Sequence, residues 1–150
     1  MKTLLLNDLT DIELQMLNLA TSVRENAYSP YSNYKVGAAV LGIDGEIYTG
    51  CNVESADFTL TSHAECVAID SMVKSACYET KLLLVVLESL HSPTFPCGLC
   101  RQKISEFTPD NELKIISVNL DSESKIYKIY ETNLTELLPN RFTSDNFLNL

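Results

Sequence analysis

"TSHAECVAID" occupies residues 61–70. His63 and Glu65 stand two apart, with Cys66 directly behind, where the pattern predicts the start of a helix. Two readings compete. In the first, Ser62-x-x-Glu65 is a capping box: Ser62 is the N-cap, Glu65 reaches back to its backbone N–H, and Val67, Ala68 and Ile69 follow on the buried face. In the second, the imidazole and the carboxylate carry chemistry. On this stretch alone helix grammar is favoured, because short motifs carry little information.

Around it the chain reads as alternating elements. "LTDIELQ" (9–15) opens a helix, with Thr10-x-x-Glu13 as a capping box and Leu9 and Leu14 as its staple. Ile12, Met16, Leu19, Ala20, Val23 and Ala27 then recur at helical spacing. "SPYSN" (29–33) is a loop. "YKVGAAVLGI" (34–43) and "EIYTGCNVE" (46–54) flank Asp44-Gly45, a strong hairpin signal. A helix over about 62–77 follows. "LLLVVL" (82–87) is a strand buried on both faces. "CGLCRQKISEF" (97–107) is a helix after Pro96, "LKIISVNL" (113–120) and "KIYKIY" (125–130) are strands, and "LTELL" (134–138) is a short helix. There is no repeat and no linker, so the expectation is one α/β domain over 1–150, a mixed sheet with helices on both faces.

Composition narrows the function. The 150 residues carry 11 Lys plus Arg against 20 Asp plus Glu, a net charge of -9. That balance disfavours nucleic acid and anionic membrane as partners and favours a small neutral ligand. The apolar run after Met1 is too short for a signal segment, and the run at 82–87 is too short for a membrane span. Five cysteines without an export signal argue for reduced thiols in a cytosol, with metal or catalytic roles ahead of disulfides.

Cys97-x-x-Cys100 by itself fits either a metal clamp or a redox pair. Its position two-thirds along the chain, with His63 upstream, favours the metal. Two helix heads facing one another deliver one nitrogen and two sulfurs. Zinc takes such ligands tetrahedrally, and three protein ligands leave a fourth position for water. Glu65, close to the first ligand but not one itself, is then the proton carrier. The joint pattern, His63-Ala64-Glu65 with Pro96-Cys97-Gly98-Leu99-Cys100, matches the signature of zinc deaminases and is far more specific than either half. It outweighs the capping-box reading.

Further along, the chain resembles the free-nucleoside cytidine deaminase family. "YSPYSNYKVGAA" (28–39), "GCNVES" (50–55), "HAE" (63–65), "PCGLCRQ" (96–102) and "ELLPNRF" (136–142) match its motifs in order. The resemblance implies a three-layer αβα sandwich around a five-stranded mixed sheet. It implies hydrolysis of cytidine or deoxycytidine to the uridine product and ammonia in pyrimidine salvage, with one Zn²⁺ per chain on His63, Cys97 and Cys100. Activated water attacks C4. Glu65 takes the water's proton, passes it to N3 and later protonates the leaving amine. Asn52 and Glu54 take the positions that bind the ribose hydroxyls, and Ala56 the position whose backbone reads the base. Tyr34 stands beside the base, and Phe142 reaches a neighbouring subunit's ligand. The assembly implied is a homotetramer, a dimer being the alternative, in the cytoplasm.

This chain departs from the family pattern in three places. The compact branch usually reads Cys-Ala-Glu-Arg where this chain has His63-Ala64-Glu65-Cys66. Tyr34 replaces a phenylalanine, and the amino terminus is longer by a fraction of a helix. The first departure has a charge logic. Three thiolates on Zn²⁺ leave a net -1 centre, which the arginine compensates; two thiolates and a neutral imidazole sum with zinc to zero. Cys66 is then expected to be an uncharged thiol near the metal and not a fourth ligand. The rival functions are a deaminase of a cytosine-bearing antibiotic of the blasticidin S type, a polynucleotide deaminase, and a noncatalytic zinc-stabilised binding module. The ribose motif, the acidic charge and the presence of Glu65 argue against each in turn.

Overall fold

A computed structural model describes residues 1–90, 93–109 and 112–143. Strand β1 (Lys2–Leu4) leads into helix α1 (Asp11–Arg24) and the hairpin β2 (Val36–Gly42) and β3 (Ile47–Cys51). Then come α2 (Ala64–Lys74), β4 (Thr80–Glu88), α3 (Gly98–Glu106), β5 (Lys114–Leu120), β6 (Ile126–Asn133) and the short α4 (Leu134–Leu137). The strands form one sheet in the order β1-β6-β5-β4-β2-β3. Only β4 and β5 run parallel, joined through α3; the other neighbours are antiparallel.

Alternation along β4 builds two cores. Leu82, Leu84 and Val86 pack with Met16, Leu17 and Ala20 of α1 on one face. Leu83, Val85 and Leu87 pack with Ala64, Ala68, Ile69 and Met72 of α2 and Cys100 and Ile104 of α3 on the other. A strand buried on both faces cannot alternate with polar residues, so its uninterrupted apolar run is the signature of this central place. The result is the expected three-layer αβα sandwich.

Four expectations need correction. The sheet has six strands rather than five: β1 pairs antiparallel with β6, with Lys2 opposite Glu131 and Leu4 opposite Ile129. Three residues are too few to display a period, and the partner lies over 120 positions away, so no local pattern announces this strand. Next, the buried face of α1 is Met16, Leu17 and Ala20, while Leu19 is exposed and the helix ends at Arg24. The capping box at its head is as read, with Thr10 N–H donating to Glu13 Oε2 at 2.8 Å and Glu13 N–H to Thr10 Oγ1 at 3.4 Å. Third, Ser62 is not the N-cap of α2. Its N–H donates to Val53 O and its carbonyl accepts from Val53 N, both at 2.9 Å, which ties Ser62 to the extended chain next to β3. His63 becomes the N-cap, extended and without a side-chain cap bond. Glu65 therefore makes no capping box. Fourth, α2 stops at Lys74, short of Cys77.

The position of α2 depends on Gly50 of β3. A Cβ there would come within 2.4 Å of Ala68 N and 2.5 Å of Ala64 O. The absent side chain lets the helix backbone lie directly on the strand. Gly50→Ala is expected to lower stability by about 1–3 kcal/mol in urea unfolding. It should also weaken zinc binding in a chelator competition, because the displaced helix carries His63 at its head.

Candidate active site

Helices α2 and α3 start beside one another on the same face of the sheet. His63 caps α2 and Cys97 caps α3, and neither side chain bonds to its own helix. Cys100 lies in the first turn of α3, fully buried. His63 Nδ1 is 3.3 Å from Cys97 Sγ and 3.3 Å from Cys100 Sγ, and the three donor atoms all lie within 4.8 Å of one another. A tetrahedral zinc with bonds of about 2.3 Å to sulfur and about 2.0 Å to nitrogen needs S···N edges of about 3.5 Å. The set fits the ion with little adjustment. The donor chemistry fits as well. Cys66 beside it, and then burial, push the Cys100 thiol well above its ordinary range, so this sulfur would need a bound cation to ionise.

Cys66 adjoins the donor group. Its Sγ is 3.9 Å from Cys100 Sγ, yet it lies outside the group of three donors that face one another.

Glu65 sits in the first turn of α2, 7 % exposed, and lines a cavity of about 290 Å³ with His63 and Cys97. Among the described residues no hydrogen bond or ion pair engages its carboxylate. A buried carboxylate without a partner is costly. At the wall of a cavity beside a metal-ligand set, it is suited to exchange protons with whatever enters.

Tyr34, Asn52 and Glu54 also line the cavity. Asn52 is buried and holds the backbone of the segment before β2. Its Oδ1 accepts from Val36 N and its Nδ2 donates to Tyr34 O, both at 2.8 Å. Glu54 accepts from Tyr31 N at 2.9 Å and Ser32 N at 3.2 Å, and from the Ser32 hydroxyl. Burial, and then the charge of Glu88, raise the Tyr34 phenol, so it stays neutral.

Two of the expected site residues do not line this cavity. Ala56 is exposed in the loop after Glu54. Phe142 is 59 % exposed, with its carbonyl held by Gln102 Nε2 at 2.8 Å. Other wall residues went unnoticed in the sequence: Ser32, Val36, Thr61, Leu87, Thr94 and Phe95. Thr94 and Phe95 immediately precede Pro96, and that adjacency was the available signal. The clamp on the C-terminal segment was also missed. Arg101 donates to Pro96 O at 2.6 Å and Leu137 O at 3.0 Å, and Arg141 to Thr108 O at 2.6 Å and Pro109 O at 2.9 Å.

An αβα sandwich with an N/S/S donor group at two helix heads and, in the adjoining cavity, a carboxylate that no hydrogen bond or ion pair among the described residues engages has the parts that a zinc-dependent hydrolytic deaminase requires. Comparison with known proteins makes this specific. Residues 11–115 match the cytidine and deoxycytidylate deaminase zinc-binding region. A cytidine deaminase of Sporosarcina psychrophila is 37 % identical over 136 residues, covering 91 % of this chain and 94 % of the relative. One from Halalkalibacterium halodurans is 35 % identical over 131 residues, covering 87 % and 94 %. The crystal structure of the Burkholderia pseudomallei cytidine deaminase superposes with a TM-score of 0.75 at 34 % identity, covering 89 % of this chain and all of that one. The chain belongs to the cytidine deaminase family.

The zinc site makes a prediction of its own. Metal analysis of the purified protein should give about one zinc per chain, and Cys97→Ala should lose it. Cys66→Ala should keep it. His63→Cys should impair turnover by adding a negative charge at the metal, and adding Cys66→Arg should recover part of the loss. A double variant no better than the single would break the link between positions 63 and 66.

Proposed function

We propose that the protein hydrolyses cytidine and deoxycytidine to uridine and deoxyuridine, releasing ammonia, with His63, Cys97 and Cys100 as zinc ligands and Glu65 as the proton carrier. The observation that carries this reading is the carboxylate of Glu65, without a hydrogen bond or ion pair among the described residues and buried in a cavity lined by His63 and Cys97 of the donor group together with Asn52 and Glu54. Zinc at this site supplies Lewis acidity that brings the ionisation of water into the neutral range. Glu65 takes the proton of the attacking water, gives it to N3 of the cytosine, and later protonates the leaving amine. Asn52 and Glu54 bind the sugar hydroxyls, with Asn52 also fixing the backbone on which Tyr34 stands beside the base. Backbone at Ala56 reads the base edge, and Phe142 reaches the ligand of a neighbouring copy.

The antibiotic-deaminase reading lacks support. The relatives described above are named cytidine deaminases, and the sugar-side wall has a carboxylate and an amide in place. Among the described residues no helix is long and apolar enough to cross a membrane. The acidic charge and reduced thiols support a cytoplasmic role in pyrimidine salvage.

Loss of cytidine's ultraviolet absorbance on addition of the zinc-loaded protein tests the reaction. Free cytosine and single-stranded DNA should be poor substrates, because a site built for sugar hydroxyls leaves polar groups unpaired without them. Glu65→Gln should keep zinc and fold but lose about a hundred- to ten-thousandfold in kcat. Near-normal turnover in that variant would remove Glu65 from the mechanism.

We further propose a homotetramer. Phe142 is exposed, as are Leu60 and Phe58, and Leu99 is exposed between the two cysteines. Sedimentation should report four copies, and Phe142→Ala should raise KM for cytidine while retaining zinc. A monomer with full activity would overturn this arrangement.

A further inference from the structure

Ser32 lies in the loop between α1 and β2, at the edge of the cavity beside Glu54. Its hydroxyl donates to Glu54 Oε1 and accepts from Tyr34 N–H at 2.9 Å. The bond from Tyr34 sets the hydroxyl's orientation, because an oxygen accepting from that direction has its proton left to point at the carboxylate. Glu54 Oε2 accepts from two loop N–H groups, Tyr31 at 2.9 Å and Ser32 at 3.2 Å.

An ionised carboxylate has about four acceptor sites. Both sites of Oε2 are filled from the loop, and Oε1 has one filled by Ser32. One acceptor site on Oε1 is left, on a side chain that lines the cavity. The terminal torsion of a glutamate is intrinsically broad, so the loop N–H groups and the serine hydroxyl together fix which oxygen faces the cavity and in which plane. The Ser32 hydroxyl does most to hold the Glu54 carboxyl below the usual carboxylate range; slight burial opposes it, and the two N–H groups add to it. The carboxylate is thus kept as a pure acceptor.

We propose that Ser32 is the positioning residue of the sugar subsite, aiming the last acceptor site of Glu54 at a sugar hydroxyl and so setting the preference for hydroxylated over dideoxy sugars. This rests on the reading of Glu54 as a sugar-binding group. Nothing in the reaction chemistry requires Ser32, so its contribution belongs to substrate binding.

The test measures kcat and KM on cytidine and on 2′,3′-dideoxycytidine for the zinc-loaded enzyme and its Ser32→Ala, Ser32→Thr and Glu54→Gln variants. Zinc content and thermal midpoint are followed for each. Ser32→Ala should lower kcat/KM for cytidine about ten- to a hundredfold, the worth of one hydrogen bond to a charged group, mainly through KM, and leave dideoxycytidine within about twofold. Ser32→Thr should recover most of the loss. In a Glu54→Gln background, adding Ser32→Ala should cost cytidine nothing more. An equal loss on both nucleosides would make Ser32 a general prop for the loop and overturn the proposal, as would no loss on cytidine. The two readings fail differently. If Glu54→Gln leaves the cytidine-to-dideoxycytidine ratio unchanged, the sugar role of Glu54 fails and the proposal falls with it. If Glu54→Gln collapses the ratio and Ser32→Ala does not, only the role of Ser32 is overturned.

Discussion

Two helices of this protein begin at nearly the same point. Each helix head presents unpaired N–H groups and a pole equivalent to about half a positive charge. Two such poles repel unless something anionic stands between them, which Cys97 and Cys100 would supply as zinc-bound thiolates. Two thiolates in turn repel one another unless a cation joins them. Zn²⁺ held by two thiolates and an imidazole would close the sequence of compensations at zero net charge. The 3.3 Å approaches of His63 Nδ1 to both sulfurs are the geometric form of that balance. The rest of the αβα frame serves to bring α2 and α3 to that meeting.

Close packing gives the meeting its accuracy. Gly50 lets the backbone of α2 lie on β3, and Cys100 and Ile104 lock α3 into the same core as Ala64 and Met72. A site on helix heads inherits the rigidity of the core that both helices share. The opposite wall of the cavity is made differently, from a loop that regular structure does not hold. There the polar side chains bind the protein's own backbone: Asn52 holds Tyr34 and Val36, and Glu54 holds Tyr31 and Ser32. Side chains of this kind stiffen the loop and present their remaining hydrogen-bonding capacity to the ligand at once. Glu65 is the exception, a buried carboxylate held by no hydrogen bond or ion pair among the described residues. The proton-carrying role proposed for it would require alternation between partners, with which a fixed one would compete.

Much of this was legible from residue order. Thr10-x-x-Glu13 marks the head of α1 because a capping box is a contact within four residues. Asp44-Gly45 marks the hairpin, and Gly45 has the positive φ that the turn demands. The apolar run 82–87 marks the central strand because only a strand covered on both faces reads that way. The metal donors were legible because zinc restricts the residue types and the spacing available to it. The misreadings share one cause. Ser62 has a capping-box sequence, but Val53 takes both its backbone groups into an extended bridge, so the helix starts one residue later. Strand β1 exists because the edge of β6 lacks a partner, which the first residues of the chain do not record. Leu19 fits a helical stripe, but the face of α1 that packs on the sheet carries Leu17 in its place.

The sequence by itself determined the order of elements from α1 onward, the central place of β4, and the candidate donors His63, Cys97 and Cys100 with Glu65 in their company. Each is local chemistry: a period, a cap, a turn, or a ligand spacing. Only the tertiary structure decided that the two helix heads meet, that Cys66 touches Cys100 without joining the donor group, and that no hydrogen bond or ion pair among the described residues engages Glu65. The tertiary structure also decided that Ser32 and Glu54, twenty-two positions apart, share a hydrogen bond. Those are distances between residues remote in the chain. They follow from how α2, α3 and the loop at 29–33 pack on one sheet, and packing has no signature within a window of residues.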